Sequence, residues 1–325
     1  MLMTQKLVSM APLPAAFFEH VMRQNGIENV RVVDINAASN EDIKREVSDA
    51  DYIIGDFSFK NRITRELAFT AKRVKLVQQP SVGYQHIDID ACREAGVRVA
   101  NCAGANTISV AEHTLMLALG LLKKLAIAHN STARGEWRQM DLMPLELSGK
   151  VWGIVGMGRI GKALAERIAP FGVSMLYSDP IRLAPEQEMA LGLAYRELPD
   201  LLKTADIISL HCPLTPETTG LISADSIALM KPSVIVVNVA RGEVIDEAVV
   251  AAAIKQKKIG GLGIDVFTDE PPAPGSPLLG LGDENVILSP HVAGVTAESK
   301  MRIMSMSMNN LVKVMKGGEP ENLVT

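Results

Sequence analysis

The run Val151-Trp152-Gly153-Ile154-Val155-Gly156-Met157-Gly158-Arg159-Ile160-Gly161 decides how this chain folds. Its first half, with Val151, Ile154 and Val155, reads as a strand that stops at Gly156, and from Gly158 to Ala169 the apolar spacing turns helical. Gly156-Met157-Gly158-Arg159-Ile160-Gly161 is a complete G-x-G-x-x-G. Its glycines serve a tight turn, close approach of backbone to a pyrophosphate, and close packing of helix on strand. A helix that opens there directs unpaired N–H groups and a partial positive charge at a diphosphate. The glycines alone also describe an ordinary strand-to-helix turn. The second strand, Val173 to Ser178, discriminates, because it ends in Asp179, 18 residues beyond Gly161. That is close to the roughly 20 expected for a carboxylate that grips an adenosine ribose. A carboxylate there accepts both ribose hydroxyls and repels a 2′-phosphate, which favours NAD over NADP. Arg182, three positions on, pulls the other way.

Outward from this unit the β-α alternation continues. Downstream strands are expected at Ile207–His211, Val234–Val239, Gly261–Val266 and Val286–Ser289, with helices near Leu198, Ser223 and Asp246–Lys257. Upstream, strands at Leu7–Met10, Val30–Ile35, Tyr52–Asp56, Val74–Gln78 and Val97–Asn101 alternate with helices around Phe17, Asp42, Thr64 and Ile89. Two successive β-α series predict an α/β protein with two parallel sheets, the second carrying the dinucleotide. Between them Asn106–Lys124 is a helix with little polar surface beyond Glu112 and His113, expected to be buried between domains or subunits. The polar stretch His129–Met143 reads as an irregular connection, and Ala297–Met315 as an amphipathic helix whose methionines form a packed face.

At 325 residues the chain has room for two cores. Its 47% apolar and 22% charged residues fit a folded globular protein. A formal charge of -4 gives no general attraction to nucleic acid or acidic membranes. The longest apolar run, Thr114–Leu122, ends at Lys123 and Lys124, far short of the roughly 20 residues of a spanning helix. Pro12, Pro14 and the lack of a small-residue cleavage pattern argue against a signal peptide. Cys92, Cys102 and Cys212 are scattered, odd in number and without metal-ligand spacing, so reduced core thiols in a cytoplasm are expected, and no metal site.

Ligands of parallel sheets sit outside the carboxyl ends of the strands, so the loops there carry the chemistry. They are His211-Cys212-Pro213-Leu214-Thr215-Pro216, Ala240-Arg241-Gly242-Glu243, Phe267-Thr268-Asp269-Glu270-Pro271-Pro272 and Pro290-His291-Val292-Ala293-Gly294. A guanidinium holds a carboxylate in a fork and polarises a carbonyl. A histidine titrates near working pH, and a neighbouring carboxylate keeps it protonated and oriented. Each residue alone has a duller reading as a surface ion pair or loop histidine. Their joint delivery to one sheet edge beside a nicotinamide is what hydride transfer to a keto acid requires.

Ser81-Val82-Gly83-Tyr84, Asn106 with Ser109-Val110-Ala111-Glu112-His113, the glycine fingerprint with Asp179, His211-Cys212-Pro213-Leu214-Thr215, Asn238-Val239-Ala240-Arg241-Gly242, Asp265-Val266-Phe267 with Glu270-Pro271, and Ser289-Pro290-His291 lie within Val74–Gly294. In this set the chain resembles the D-isomer-specific 2-hydroxyacid dehydrogenase family. The resemblance implies two Rossmann-like or flavodoxin-like parallel-sheet domains with an interdomain active-site cleft. Residues 1–103 plus 295–325 would form the substrate domain and 104–294 the NAD-binding domain. It implies that Arg241 binds and polarises substrate, that His291 is the general acid in reduction and base in oxidation, and that Glu270 pairs with His291. Backbone N–H groups of Val82 and Gly83 would hold the substrate carboxylate. Gly156, Gly158, Arg159, Ile160, Gly161, Asp179, Cys212, Pro213, Val239 and Ala240 would bind or line NAD, with Asp265 at the nicotinamide amide. A homodimer joined through the cofactor domain is implied as well.

Departures from the family pattern bear on substrate. Members that handle phosphoglycerate tend to carry an Arg-Ser pair where this chain has Asp56-Phe57-Ser58-Phe59-Lys60. Phe57 and Phe59 tilt the expectation toward an apolar side chain, and Glu270, where formate dehydrogenases place glutamine, toward an alcohol-to-ketone couple. The expected activity is NAD-dependent interconversion of a small (R)-2-hydroxy acid and its 2-keto acid. The rivals are an NAD-responsive corepressor-like binding protein and a dehydrogenase of an inorganic anion such as phosphite.

Overall fold

Short apolar runs alternate with helices from the amino terminus on. The computed structural model describes residues 4–281 and 284–325. The first series is β1 (Gln5–Ser9), α1 (Ala15–Gln24), β2 (Val30–Asp34), α2 (Asn40–Ser48), β3 (Tyr52–Ile54), α3 (Arg65–Thr70), β4 (Leu76–Gln78), α4 (Ile89–Glu94) and β5 (Val99–Ala100). Ser39, Thr64 and Asp88 start α2, α3 and α4 by accepting the N–H of Asp42, Leu67 and Ala91, each cap typically worth about 1 kcal/mol. The strands pair in parallel in the order β2-β1-β3-β4-β5.

The second series is α5 (Thr107–Leu122), α6 (Leu125–Ala133), β6 (Val151–Val155), α7 (Arg159–Ile168), β7 (Ser174–Ser178), α8 (Pro185–Leu191), β8 (Leu193–Tyr195), α9 (Leu198–Thr204), β9 (Ile207–Leu210), α10 (Ala224–Leu229), β10 (Ile235–Asn238), α11 (Glu247–Lys255), β11 (Gly261–Ile264) and β12 (Val286–Leu288). Its parallel sheet runs β12-β11-β10-β9-β6-β7-β8. The chain leaves β6 toward β7 and later returns to its other side as β9. That reversal of direction opens a crevice at the carboxyl end of β6. The chain closes with α12 (Ala297–Met315).

By internal packing the chain divides into two units, residues up to Asn106 with Ala297–Thr325, and Thr107–Thr296. In the first, Val8, Ile53 and Val77 form one core face, and Leu7, Tyr52 and Leu76 form the other with Met308, Leu311 and Val314 of α12. In the second, α5 packs on α7 and against β10, β11 and β12. Small residues let it approach closely. A Cβ on Gly120 would meet Ile287 Cδ1 at 2.8 Å, and one on Gly263 would meet Leu117 Cβ at 3.2 Å. Leu117 and Leu121 are buried there, and truncating either costs about 2–5 kcal/mol.

Two local expectations change. β8 is a seventh strand of the second sheet among the described residues, at its edge, where the sequence analysis placed none. The stretch from His129 is not irregular throughout, because α6 runs to Ala133. No helix among the described residues is long and apolar enough to cross a membrane.

Candidate active site

The glycine turn after β6 has the geometry its sequence demands. Gly156 sits at φ +93, and a Cβ there would lie 2.6 Å from the Cys212 N, so only glycine lets the loop after β9 come this close. A Cβ on Gly161 would lie 2.4 Å from the Gly156 carbonyl oxygen, whereas one on Gly158 would enter open space. Gly158 caps α7 without a side-chain hydrogen bond, so the helix starts with unpaired N–H groups beside that space. This is a cradle for a diphosphate. Arg159 and Ile160 form the first turn of α7, and the glycine turn lies against Cys212, which Pro213 follows in the chain. Burial pushes the Cys212 thiol up to about 11, so it is an uncharged lining group.

Asp179 follows β7 and ties the crevice together. Its Oδ2 accepts the Met157 N–H at 2.7 Å and its Oδ1 the Ile181 N–H at 2.8 Å. Each oxygen keeps a lone pair for a ribose hydroxyl. Arg182 is engaged elsewhere: Nε and Nη2 donate to Glu188 at 2.9 and 3.1 Å, and its guanidinium lies 5.2 Å from the Tyr195 ring centre. Hydrogen bonds from Arg182 and Tyr177 hold the Glu188 carboxyl down at about 2.

Three adjacent strands deliver the expected reactive groups. After β10, Asn238 shapes the turn, its Oδ1 accepting the Ala240 N–H at 3.0 Å and its Nδ2 donating to the Arg241 carbonyl at 2.8 Å. Val239 and Ala240 are buried and Arg241 is half-buried. Its guanidinium donates to the Ala240 carbonyl at 2.6 Å. Among the described residues no carboxylate lies within ion-pair distance of it. Burial draws its pKa down, with Glu270 and Glu243 opposing, and a guanidinium stays charged through such a shift.

Gly242 makes the next step possible, because a Cβ there would lie 2.1 Å from the Thr268 N. The loop after β10 therefore rests on the loop after β11. That loop turns Glu270 back, its Oε1 accepting the Phe267 N–H at 3.1 Å, while Oε2 lies 2.7 Å from His291 Nδ1. Burial tends to raise the Glu270 pKa, but the hydrogen bonds from His291 and Phe267 and the charges of His291 and Arg241 outweigh it, and the net shift is downward. His291 remains close to half exposed at 45%, and a mainly apolar depression lined by Phe267, Pro271, Leu279 and Leu288 adjoins it.

Asp265, which was expected at the nicotinamide, is almost fully buried at 1% exposure and spends most of its capacity on the protein. Its Oδ1 accepts Ser289 Oγ–H at 2.6 Å and the Val292 N–H at 2.9 Å, and its Oδ2 the Ala293 N–H at 2.9 Å. One acceptor position on Oδ2 is left. Sequence reasoning gave Asp265 no clamping part and gave Asn238 no part beyond its place in the motif before Arg241. Each is a small polar residue at a strand end, and the partners that define its part are distant in the chain or are main-chain groups.

Val82 and Gly83 lie after β4 in the first unit. The Val82 carbonyl accepts Asn101 Nδ2 at 2.8 Å, and the Gly83 carbonyl accepts Ser81 Oγ at 2.6 Å. Among the described residues neither N–H has a protein acceptor, so the loop keeps both donors for an anion. Nearby, buried Asp56 accepts Ser58 N–H and Oγ–H at 2.7 and 2.6 Å, and Asn61 N–H and Nδ2–H at 2.9 and 3.0 Å. This holds exposed Phe57 and Phe59 in a fixed loop.

Residues 115–293 match the family model described as D-isomer specific 2-hydroxyacid dehydrogenase, NAD binding domain. The chain is 38% identical over 271 residues to a glyoxylate reductase of Aeropyrum pernix, covering 81% of this chain and 80% of that one. It is 36% identical over 304 residues to a D-3-phosphoglycerate dehydrogenase of Archaeoglobus fulgidus, covering 93% of this chain; the chain spans 56% of that relative's length. A crystal structure of D-lactate dehydrogenase from Aquifex aeolicus complexed with NAD and lactic acid superposes with a TM-score of 0.83 at 30% identity, over 96% of each chain.

Proposed function

The chain belongs to the D-isomer-specific 2-hydroxyacid dehydrogenase family, and we propose that it interconverts a small (R)-2-hydroxy acid and its 2-keto acid with NAD. The observation that carries this reading is the 2.7 Å contact between His291 Nδ1 and Glu270 Oε2, beside an Arg241 with no carboxylate partner among the described residues. When bound, the cofactor would supply a hydride to substrate C2 as NADH in reduction and receive it as NAD+ in oxidation. Arg241 forks the substrate and polarises its carbonyl. With Nδ1 committed to Glu270, His291 Nε2 gives a proton to the carbonyl oxygen in reduction and takes it back in oxidation. Val82 and Gly83 donate N–H groups to the substrate carboxylate, which gives the first unit the substrate role and the second the cofactor role. Gly156, Gly158, Arg159, Ile160, Gly161 and Asp179 hold the adenosine diphosphate half of NAD. Cys212, Pro213, Val239 and Ala240 line the nicotinamide half, and Asp265 offers its remaining acceptor to the amide.

The fixed aromatics Phe57 and Phe59, on a loop whose base is the Asp56 carboxylate, favour an uncharged apolar group beyond C2 over a phosphate. The working form is a homodimer joined through the second unit. There Trp137, Met140 and Met143 are 80%, 81% and 71% exposed, an apolar surface that a partner subunit covers.

The test is NADH oxidation against a panel running from glyoxylate and hydroxypyruvate to larger 2-keto acids, with NAD reduction by phosphite as a separate arm. At least one 2-keto acid is expected to turn over rapidly, and Arg241→Ala or His291→Ala to cost on the order of 10² to 10⁴ in kcat. Feeble turnover of every acid, or near-normal His291→Ala kinetics across pH, overturns the reading.

A further inference from the structure

Helix α5 reaches the foot of the proton-transfer loop through a histidine. His113 Nε2 lies 2.9 Å from Ser289 Oγ and 3.6 Å from Asp265 Oδ1, its side chain 14% exposed. Counting protons fixes the direction of the chain. A carboxylate only accepts, so the single Ser289 proton goes to Asp265, and the Ser289 oxygen must receive a proton from His113. Burial disfavours the charged imidazole, with Asp265 opposing, so the form implied is neutral with Nε2–H.

Asp265 in turn grips the loop at three points. Its carboxylate takes the Val292 and Ala293 N–H groups, and its main-chain carbonyl takes the His291 N–H at 2.8 Å. The grip matters because His291 sits at φ +53, in the left-handed region that residues with a Cβ seldom adopt. Such a conformation persists only where its surroundings over-determine it.

We infer that His113 is a positioning residue for His291: through Ser289 it fixes Asp265, and Asp265 holds the strained backbone that aims the imidazole at Glu270. The claim rests on the reading of His291 as the proton-transfer group. It also gives a role to a part-buried histidine on a mainly apolar helix.

The test uses the full chain carrying His113→Ala, His113→Gln, Ser289→Ala or His113→Ala with Ser289→Ala, assayed with NADH and the fastest 2-keto acid of the panel. His113→Ala is expected to lower kcat about tenfold while the KM for NADH moves less than about twofold, the pattern of a removed outer partner. His113→Gln, whose amide N–H reaches the same oxygen, restores most of the rate. The double variant is no worse than the poorer single one, as for residues acting in one chain. A normal kcat in His113→Ala, no rescue by glutamine, or multiplicative losses in the double variant overturns the inference.

The His291 Cε1–H resonance, assigned by its disappearance in His291→Asn, gives a readout that needs no turnover. It should shift in His113→Ala and return in His113→Gln, and a resonance unmoved in both overturns the positioning claim. Full activity of His291→Ala would sink the parent reading instead, so the two failures are separable.

Discussion

The Cβ that alanine would place at Gly242 falls 2.0 Å from the carbonyl carbon of Phe267. The backbone carrying Arg241 therefore lies directly on the backbone that turns Glu270 toward His291, and the three groups share one edge because of this contact. Gly242→Ala should drive the loops apart. Turnover is expected to fall on the order of 10²-fold, as for an ångström-scale misplacement of reacting groups. Steady-state kinetics at saturating NADH checks this, and a rate near the native one would show that the loops do not need the contact.

Glu270 also gives a pH signature in stability. Its folded pKa is depressed below the ordinary 4.5. The contribution of its ionised form is then fully present above that value and is lost as pH falls through the folded one. The gap in Tm between the native chain and Glu270→Gln should stay level from neutral pH down to about 4.5 and close in more acidic solution. A gap that widens on acidification has the wrong sign for this account.

Cofactor choice follows from Glu188. Because its carboxyl is held at about 2, it keeps Arg182 engaged at any practical assay pH. Glu188→Ala releases that guanidinium beside Asp179. Use of NADPH relative to NADH, measured as the ratio of kcat/KM values, should rise by roughly several-fold, the modest gain expected of a solvent-exposed ion pair. An unchanged ratio would mean that Asp179 alone sets the preference.

The exposed apolar residues after α6 predict the assembly. Replacing Trp137, Met140 and Met143 together by serine should convert a dimer into a monomer in sedimentation experiments at micromolar concentration. If the native chain sediments as a monomer, the proposed interface is wrong.

Much of the architecture could be read from residue patterns because those signals are local. The glycines of Gly156–Gly161, the alternation of apolar runs and the spacing to Asp179 each report on a few neighbours. β8 escaped because three residues at a sheet edge draw their strand form from pairing with β7 rather than from their own alternation. The amino-terminal part of α6 follows α5 across Lys124 at φ +50, while His129, Asn130, Ser131 and Thr132 are indifferent helix formers, so its sequence reads as a connection. In the site, strand-end placement singled out Arg241, Glu270 and His291. The contacts that align them did not show. A serine before a proline and a histidine on an apolar helix look ordinary until the sheet brings them within 2.9 Å.

The first unit is assembled from two stretches of chain that the whole second unit separates. Met308, Leu311 and Val314 of α12 complete one face of its core. During synthesis, Leu7, Tyr52 and Leu76 must therefore wait with that face uncovered, while the contiguous second unit already has every strand it needs. The short stretch made after the second unit finishes the unit begun before it, and a nascent chain stalled before α12 exposes an apolar sheet to chaperones rather than to water alone.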